Sequence, residues 1–102
     1  MSKATNPYKL DVVSIRLVKD APLYSGHSIK RPLDAVTLVG EQLCEMDREV
    51  LCVINLCSDG KPINCSFVSV GALDQTVAHP REILKTSILS NAAKIMLIHN
   101  HP

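Results

Sequence analysis

Residues 49–70 read EVLCVINLC, then SDGK, then PINCSFVSV: two apolar runs on either side of a turn. Asp59-Gly60 between alternating runs is a strong hairpin signal. With that pair at the centre, Cys65 falls opposite Ile54 and Cys52 opposite Phe67. One face of the hairpin then carries Val50, Cys52, Ile54, Leu56, Ile63, Cys65 and Phe67, all apolar. The other face of the first run carries Glu49, Leu51, Val53, Asn55 and Cys57, and Leu51 and Val53 make it partly apolar too. A strand that is apolar on both sides needs cover on both. Helices on the two faces of one sheet supply that cover, so the hairpin predicts an α/β fold.

The flanking sequence provides the helices. Pro32 stands at the favoured first position of a helix, with Asp34 in the first turn where the helix dipole favours an acid. Leu33, Val36, Val39 and Leu43 recur at helical spacing, and Glu45-Met46-Asp47 closes the element. Gly40 weakens this helix slightly and offers a place for close approach to the sheet. Pro80 opens a second helix with Glu82 in its first turn, and Ile83, Leu84, Ser87, Ile88, Asn91 and Ala92 trace its stripe. Lys94 to Ile98 is a short apolar strand. Ahead of the first helix, Leu10 to Lys19 alternates as a further strand, with Val13, Ile15 and Leu17 on one side and Ser14 and Arg16 on the other. Met1 to Lys9 reads as a loose tail, and Gly71 to Val77 as a turn or irregular edge.

The 102 residues make one domain. Hydrophobic residues are 46% and charged residues 21%, which argues against intrinsic disorder. Lys and Arg number 11 against 10 Asp and Glu, a net charge of +1, so charge gives no support to nucleic-acid binding. The longest apolar stretches are too short to span a bilayer, and Met1 to Pro7 lacks the apolar core of a signal peptide. These features predict a cytoplasmic protein. Cys44, Cys52, Cys57 and Cys65 include no C-x-x-C pair, so they read as buried free thiols.

One local pattern has an obvious chemical use. In His99-Asn100-His101, residues i and i+2 of an extended chain point to the same side, with Cα atoms about 6.6 Å apart. Two imidazoles at that spacing can share a metal ion. The pattern alone supports this reading and a pair of solvated loop histidines equally. A catalytic zinc site also needs a third protein ligand and a base for its water. Glu49 heads a central strand beside Leu51 and Val53, a setting that suits a base working near neutrality. Without the histidines, a solvated strand-end acid is the better reading of Glu49.

The run Val68-Ser69-Val70-Gly71-Ala72-Leu73, then Val77-Ala78-His79-Pro80-Arg81-Glu82-Ile83, then Ser90-Asn91-Ala92-Ala93, then His99-Asn100-His101-Pro102 closely resembles the RadC-like branch of the JAB/MPN/JAMM domain family. The resemblance is strong from Arg48 onward and weak over the first helix. It implies a mixed β-sheet flanked by helices on both faces, of the cytidine-deaminase-like type. It implies that Glu49 activates the water and that His99 and His101 are two zinc ligands. It implies hydrolysis of peptide or isopeptide amides in a protein substrate. The family's third ligand, an aspartate, and its oxyanion serine would lie beyond Pro102, so the resemblance implies a domain incomplete at its C-terminus and inactive as it stands. Asp74 and His79 are candidate substitutes, with His79 read as a structural residue before Pro80. Two other expectations accompany the hydrolase: a non-catalytic interaction module on the same fold, and a RadC-like factor associated with DNA repair or mobile elements. An HNH nuclease is a poor match because its residues are not consecutive. A zinc deaminase is a poor match because H-x-E and P-C-x-x-C are missing.

Overall fold

The computed structural model describes residues 7–69 and 79–101. Helix α1 spans Pro32–Cys44, strand β1 Val50–Leu56, strand β2 Pro62–Ser69, helix α2 Pro80–Leu89 and strand β3 Lys94–His99. The strands form one sheet in the order β2-β1-β3, and both pairings are antiparallel. Strand β1 is therefore central, and every residue of it is buried.

The hairpin forms as its sequence dictates. Cys52 pairs with Phe67 and Ile54 with Cys65. The turn is longer than a two-residue loop. Cys57 N–H donates to Lys61 O at 2.9 Å, and the register slips between Asn55 and Leu56 so that Leu56 meets Pro62. Asp59 Oδ1 accepts the Lys61 N–H at 3.0 Å, the local bond that makes Asp a turn residue. Gly60 is required by geometry. Its φ is +90°, and a Cβ there would stand 3.0 Å from the carbonyl oxygen of Ile29. That close approach lets Ile29 N–H donate to Gly60 O at 2.8 Å, which ties the entry of α1 to the hairpin.

Helix α1 covers one face. Ala35, Val39 and Leu43 pack with Ile29 against Val50, Cys52, Ile54 and Leu56 in a single apolar cluster. The inward stripe is thus shifted from the expected one. Leu33 and Val36 face solvent, 63% and 49% exposed, because the helix presents the 35–39–43 line to the sheet. Gly40 does not serve a close approach to the sheet; a Cβ there would first meet Val36 of the same helix at 3.3 Å. The start of α1 is held by Asp34, which is buried. Its carboxylate accepts the N–H groups of Lys30 and Arg31, each at 3.0 Å, and contacts His27 Nε2 at 3.1 Å. The Lys30 and Arg31 amides, followed by His27 and the Arg31 charge, hold the Asp34 carboxyl down at about 2.

Helix α2 lies over the opposite face, and its contact is polar. Asn55 in β1 is fully buried. Its Nδ2 donates to Asn64 Oδ1 at 2.6 Å and Thr86 Oγ1 at 3.1 Å, and its Oδ1 accepts from Ser87 at 2.6 Å. Asn64 donates on to Ser90 at 2.7 Å, and Ser66 and Thr86 share a bond at 3.3 Å. Of the expected stripe, Ile83 and Ser87 turn inward, whereas Leu84 and Ile88 are exposed. The helix ends with Asn91 at φ 58°. Asn91 N–H bonds Ile88 O and Ala92 N–H bonds Ser87 O, the paired closure of a Schellman motif.

Two expectations are corrected. Leu10 to Lys19 does not form a strand. It runs without regular structure, with Val12, Val13, Ile15 and Val18 between 73% and 100% exposed. Alternation states which side a strand would bury, but a strand also needs an edge to pair with, and among the described residues neither β2 nor β3 pairs with it. The four cysteines are not all buried. Cys44 at the end of α1 and Cys57 beside the turn are exposed, Cys52 is buried and Cys65 half-buried. The neighbouring Cys65 thiol and burial push the Cys52 thiol above its ordinary value. Gly71 to Val77 and residues 1–6 of the tail lie outside the described residues.

Candidate functional site

The three residues singled out by sequence come from two elements far apart in the chain. Glu49 directly precedes β1, while His99 ends β3 and His101 follows it. The antiparallel register pairs Leu51 with His99. Continued outward by two residues, it faces Glu49 with His101. Because partners across a ladder share a side and side chains alternate along each strand, Leu51 and His99 belong to one face of the sheet, and the same alternation carried past the strand ends assigns Glu49 and His101 to that side. It is the face of Val53 and Asn55, over which α2 lies. The fold thus sets the start of β1 beside the end of β3.

The two imidazoles are neighbours. Their ring centroids stand 4.7 Å apart with the planes at 82°, edge to face, and both side chains are exposed. Glu49 is half-buried beside the apolar Leu51. Two adjacent exposed imidazole donors fit the chemistry of a zinc site that draws further ligands from elsewhere. Among the described residues, no group of three or more His, Cys, Asp or Glu is placed to hold a metal ion. Asp74 lies outside the described residues. His79 is the N-cap of α2, and its carbonyl accepts the N–H groups of Glu82 and Ile83 at 2.9 and 3.1 Å. Its place is therefore structural, as its position before Pro80 suggests.

Asn100 is the residue whose part was missed in the sequence. Standing between the histidines, it points to the other side of the sheet, toward the end of α1. Its Oδ1 accepts the Val50 N–H at 2.8 Å, and its Nδ2 donates to Leu43 O at 2.9 Å and Arg48 O at 3.0 Å. The available signal was the alternation itself: in an apolar strand running into His-x-His, the middle residue faces the α1 side, and a carboxamide there needs partners. On that same side an open depression of about 440 Å³ lies between Glu45, Met46, Asp47, Arg48, Val50 and Phe67. It is on the face opposite the histidines and does not include them.

Among the described residues no helix is long and apolar enough to cross a membrane. The family model of the RadC-like JAB domain matches residues 29–102. A UPF0758 protein of Clostridium acetobutylicum is 46% identical over 79 residues, 78% of this chain and 34% of that relative. A UPF0758 protein of Desulfitobacterium hafniense is 39% identical over 74 residues, 72% of this chain and 33% of the relative. One from Moorella thermoacetica is 38% identical over 74 residues, 72% of this chain and 32% of the relative. The chain spans about a third of the length of these curated relatives. No solved structure matches it.

Proposed function

The chain belongs to the RadC-like JAB domain family, and from that premise we propose that it carries part of a zinc-dependent amide-hydrolysing centre. The observation that supports this reading is the pair of imidazoles of His99 and His101, 4.7 Å apart at the end of β3, where that strand pairs with the start of β1 just after Glu49.

In this reading His99 and His101 hold the ion, together with a ligand from outside the described residues. A bound zinc ion supplies Lewis acidity at the scissile amide. Glu49 moves the proton: its carboxylate takes it from the attacking water and returns it to the departing amine, which leaves as the neutral group. The substrate is a peptide or isopeptide bond in a protein chain.

The test is metal analysis and amide cleavage by the protein in its full cellular length. About one zinc per chain is expected, lost in His99→Ala and His101→Ala. It is retained in Glu49→Gln, with cleavage reduced by roughly 10²–10⁴-fold. Absence of zinc from the full-length protein would overturn the reading. Zinc with equal cleavage by Glu49→Gln would remove Glu49 from its role, and zinc without any cleavage would favour an interaction module on the same fold.

A further inference from the structure

The pairing of β1 with β3 stops at Leu51↔His99. Glu49 and His101 lie beyond that pair, although Val50 next to Glu49 still pairs with Ser69 of β2. A carboxylate and a metal pair must keep their separation to within about 0.5 Å to act together. Asn100 bonds the backbone on both sides of Glu49 and itself stands between the two histidines. Its carboxamide accepts from Val50 N–H, the peptide just after Glu49, and donates to Arg48 O, the peptide just before it. Its second N–H reaches Leu43 O in the last turn of α1.

We propose that Asn100 is the positioning residue of this centre, a clamp that fixes the backbone on both sides of Glu49 relative to the histidine pair on either side of Asn100 itself. The inference rests on the roles proposed above for Glu49, His99 and His101. It adds the reason why the middle residue of the motif is a carboxamide. The site requires one acceptor and two donors in a fork, and of the side chains of this length only Asn offers both. Asp would accept from Val50 but turn an oxygen toward two carbonyls. Leu would leave all three backbone groups unmet. Gln would carry its amide one methylene too far. The clamp also joins the site to the core, since Leu43 belongs to the apolar cluster under β1. The geometry of the candidate centre is thereby referred to the most rigid part of the molecule.

A zinc chloride titration of the protein in its full cellular length, followed by calorimetry, separates positioning from mere stability. The variants are Asn100→Ala, Asn100→Asp, His101→Ala and Asn55→Ala. The last is a control that destabilises the sheet from the α2 side without touching the clamp. Zinc affinity is expected to fall at least tenfold in both Asn100 variants, the scale typical of residues that orient metal ligands. It should stay within twofold of wild type in Asn55→Ala at temperatures where all chains are folded. Wild-type affinity in Asn100→Ala, with binding lost in His101→Ala, would overturn the clamp and leave the metal reading intact. An equal loss in Asn55→Ala would overturn it as a general stability effect. No difference between wild type and His101→Ala would overturn both the histidine reading and the clamp that depends on it.

Discussion

Replacing Asn55 by Ala tests how α2 is held on the sheet. Asn55 is fully buried and makes three hydrogen bonds, at 2.6, 3.1 and 2.6 Å, to Asn64, Thr86 and Ser87. A net hydrogen bond stabilises by about 1 kcal/mol, so the loss of three costs about 3 kcal/mol. Two of the partners keep other bonds, Asn64 to Ser90 and Thr86 to Ser66. Ser87 is buried, and its hydroxyl is left without the acceptor at 2.6 Å. That stranded group moves the total toward about 4 kcal/mol. For a domain of this size the midpoint should fall by roughly 15–25 °C. Thermal and urea denaturation monitored by circular dichroism measure both quantities. A fall of less than about 5 °C would refute the view that the polar network, rather than the sparse apolar contact of Ile83, seats α2. The Asn55→Asp variant adds a pH signature. Burial raises a carboxyl above its unfolded value of about 3.9, so the penalty is absent below that pH. It grows as pH rises toward the folded-state value and then stays constant. Relative to wild type the variant should fare best in acid, and a difference that stays flat between pH 3 and 8 would refute the burial argument.

Three further outcomes are expected. The Asp34 carboxyl is held down at about 2 from an ordinary value of 3.8, so its stabilisation is fully present above about pH 4 and is lost as pH falls toward 2. Asp34→Asn should therefore be less stable than wild type at pH 7 and equal to it near pH 2, as read by denaturation at both pH values. Val39→Ala, at a site with no solvent exposure, should cost about 2 kcal/mol, whereas Leu33→Ala at 63% exposure should stay within about 0.5 kcal/mol. Reversed values would put Leu33 in the core and refute the inward 35–39–43 line. In amide hydrogen exchange, residues 10–19 should exchange far faster than residues 51–56 of the central strand. Matched protection would mean that the N-terminal segment is paired in solution.

The parts legible in the sequence are those set by local chemistry. Asp59-Gly60 fixed the hairpin register through the turn, and Pro32 and Pro80 marked both helix starts to the residue. The double apolar face of residues 50–56 announced a central strand with helices on both sides. Periodicity was less informative about orientation. It drew the α1 stripe through Leu33 and Val36, because apolar residues lie on more of that helix than the sheet can cover, and the choice between adjacent lines belongs to packing. In α2 the expected stripe holds Ser87, which does turn inward, but also Leu84 and Ile88, which are exposed, and it omits Thr86, which with Ser87 answers to Asn55 across the sheet. A buried polar contact has no hydrophobic period to betray it.

The candidate site divides in the same way. The His-Asn-His spacing and the glutamate ahead of an apolar strand are sequence properties, since alternation along an extended chain places residues i and i+2 together whatever surrounds them. By itself the sequence determined the elements, their order and the donor chemistry at the end of β3. The tertiary structure decided which edge each strand meets, and so set the start of β1 beside the end of β3. Among the described residues it gave Leu10 to Lys19 no strand to pair with, and it turned Asn100 into a link between β1, β3 and α1. The physical reason is range. Turn, cap and alternation preferences act over a few residues, whereas strand pairing and buried polar bonds join groups some fifty residues apart, and those are chosen only when the whole core closes.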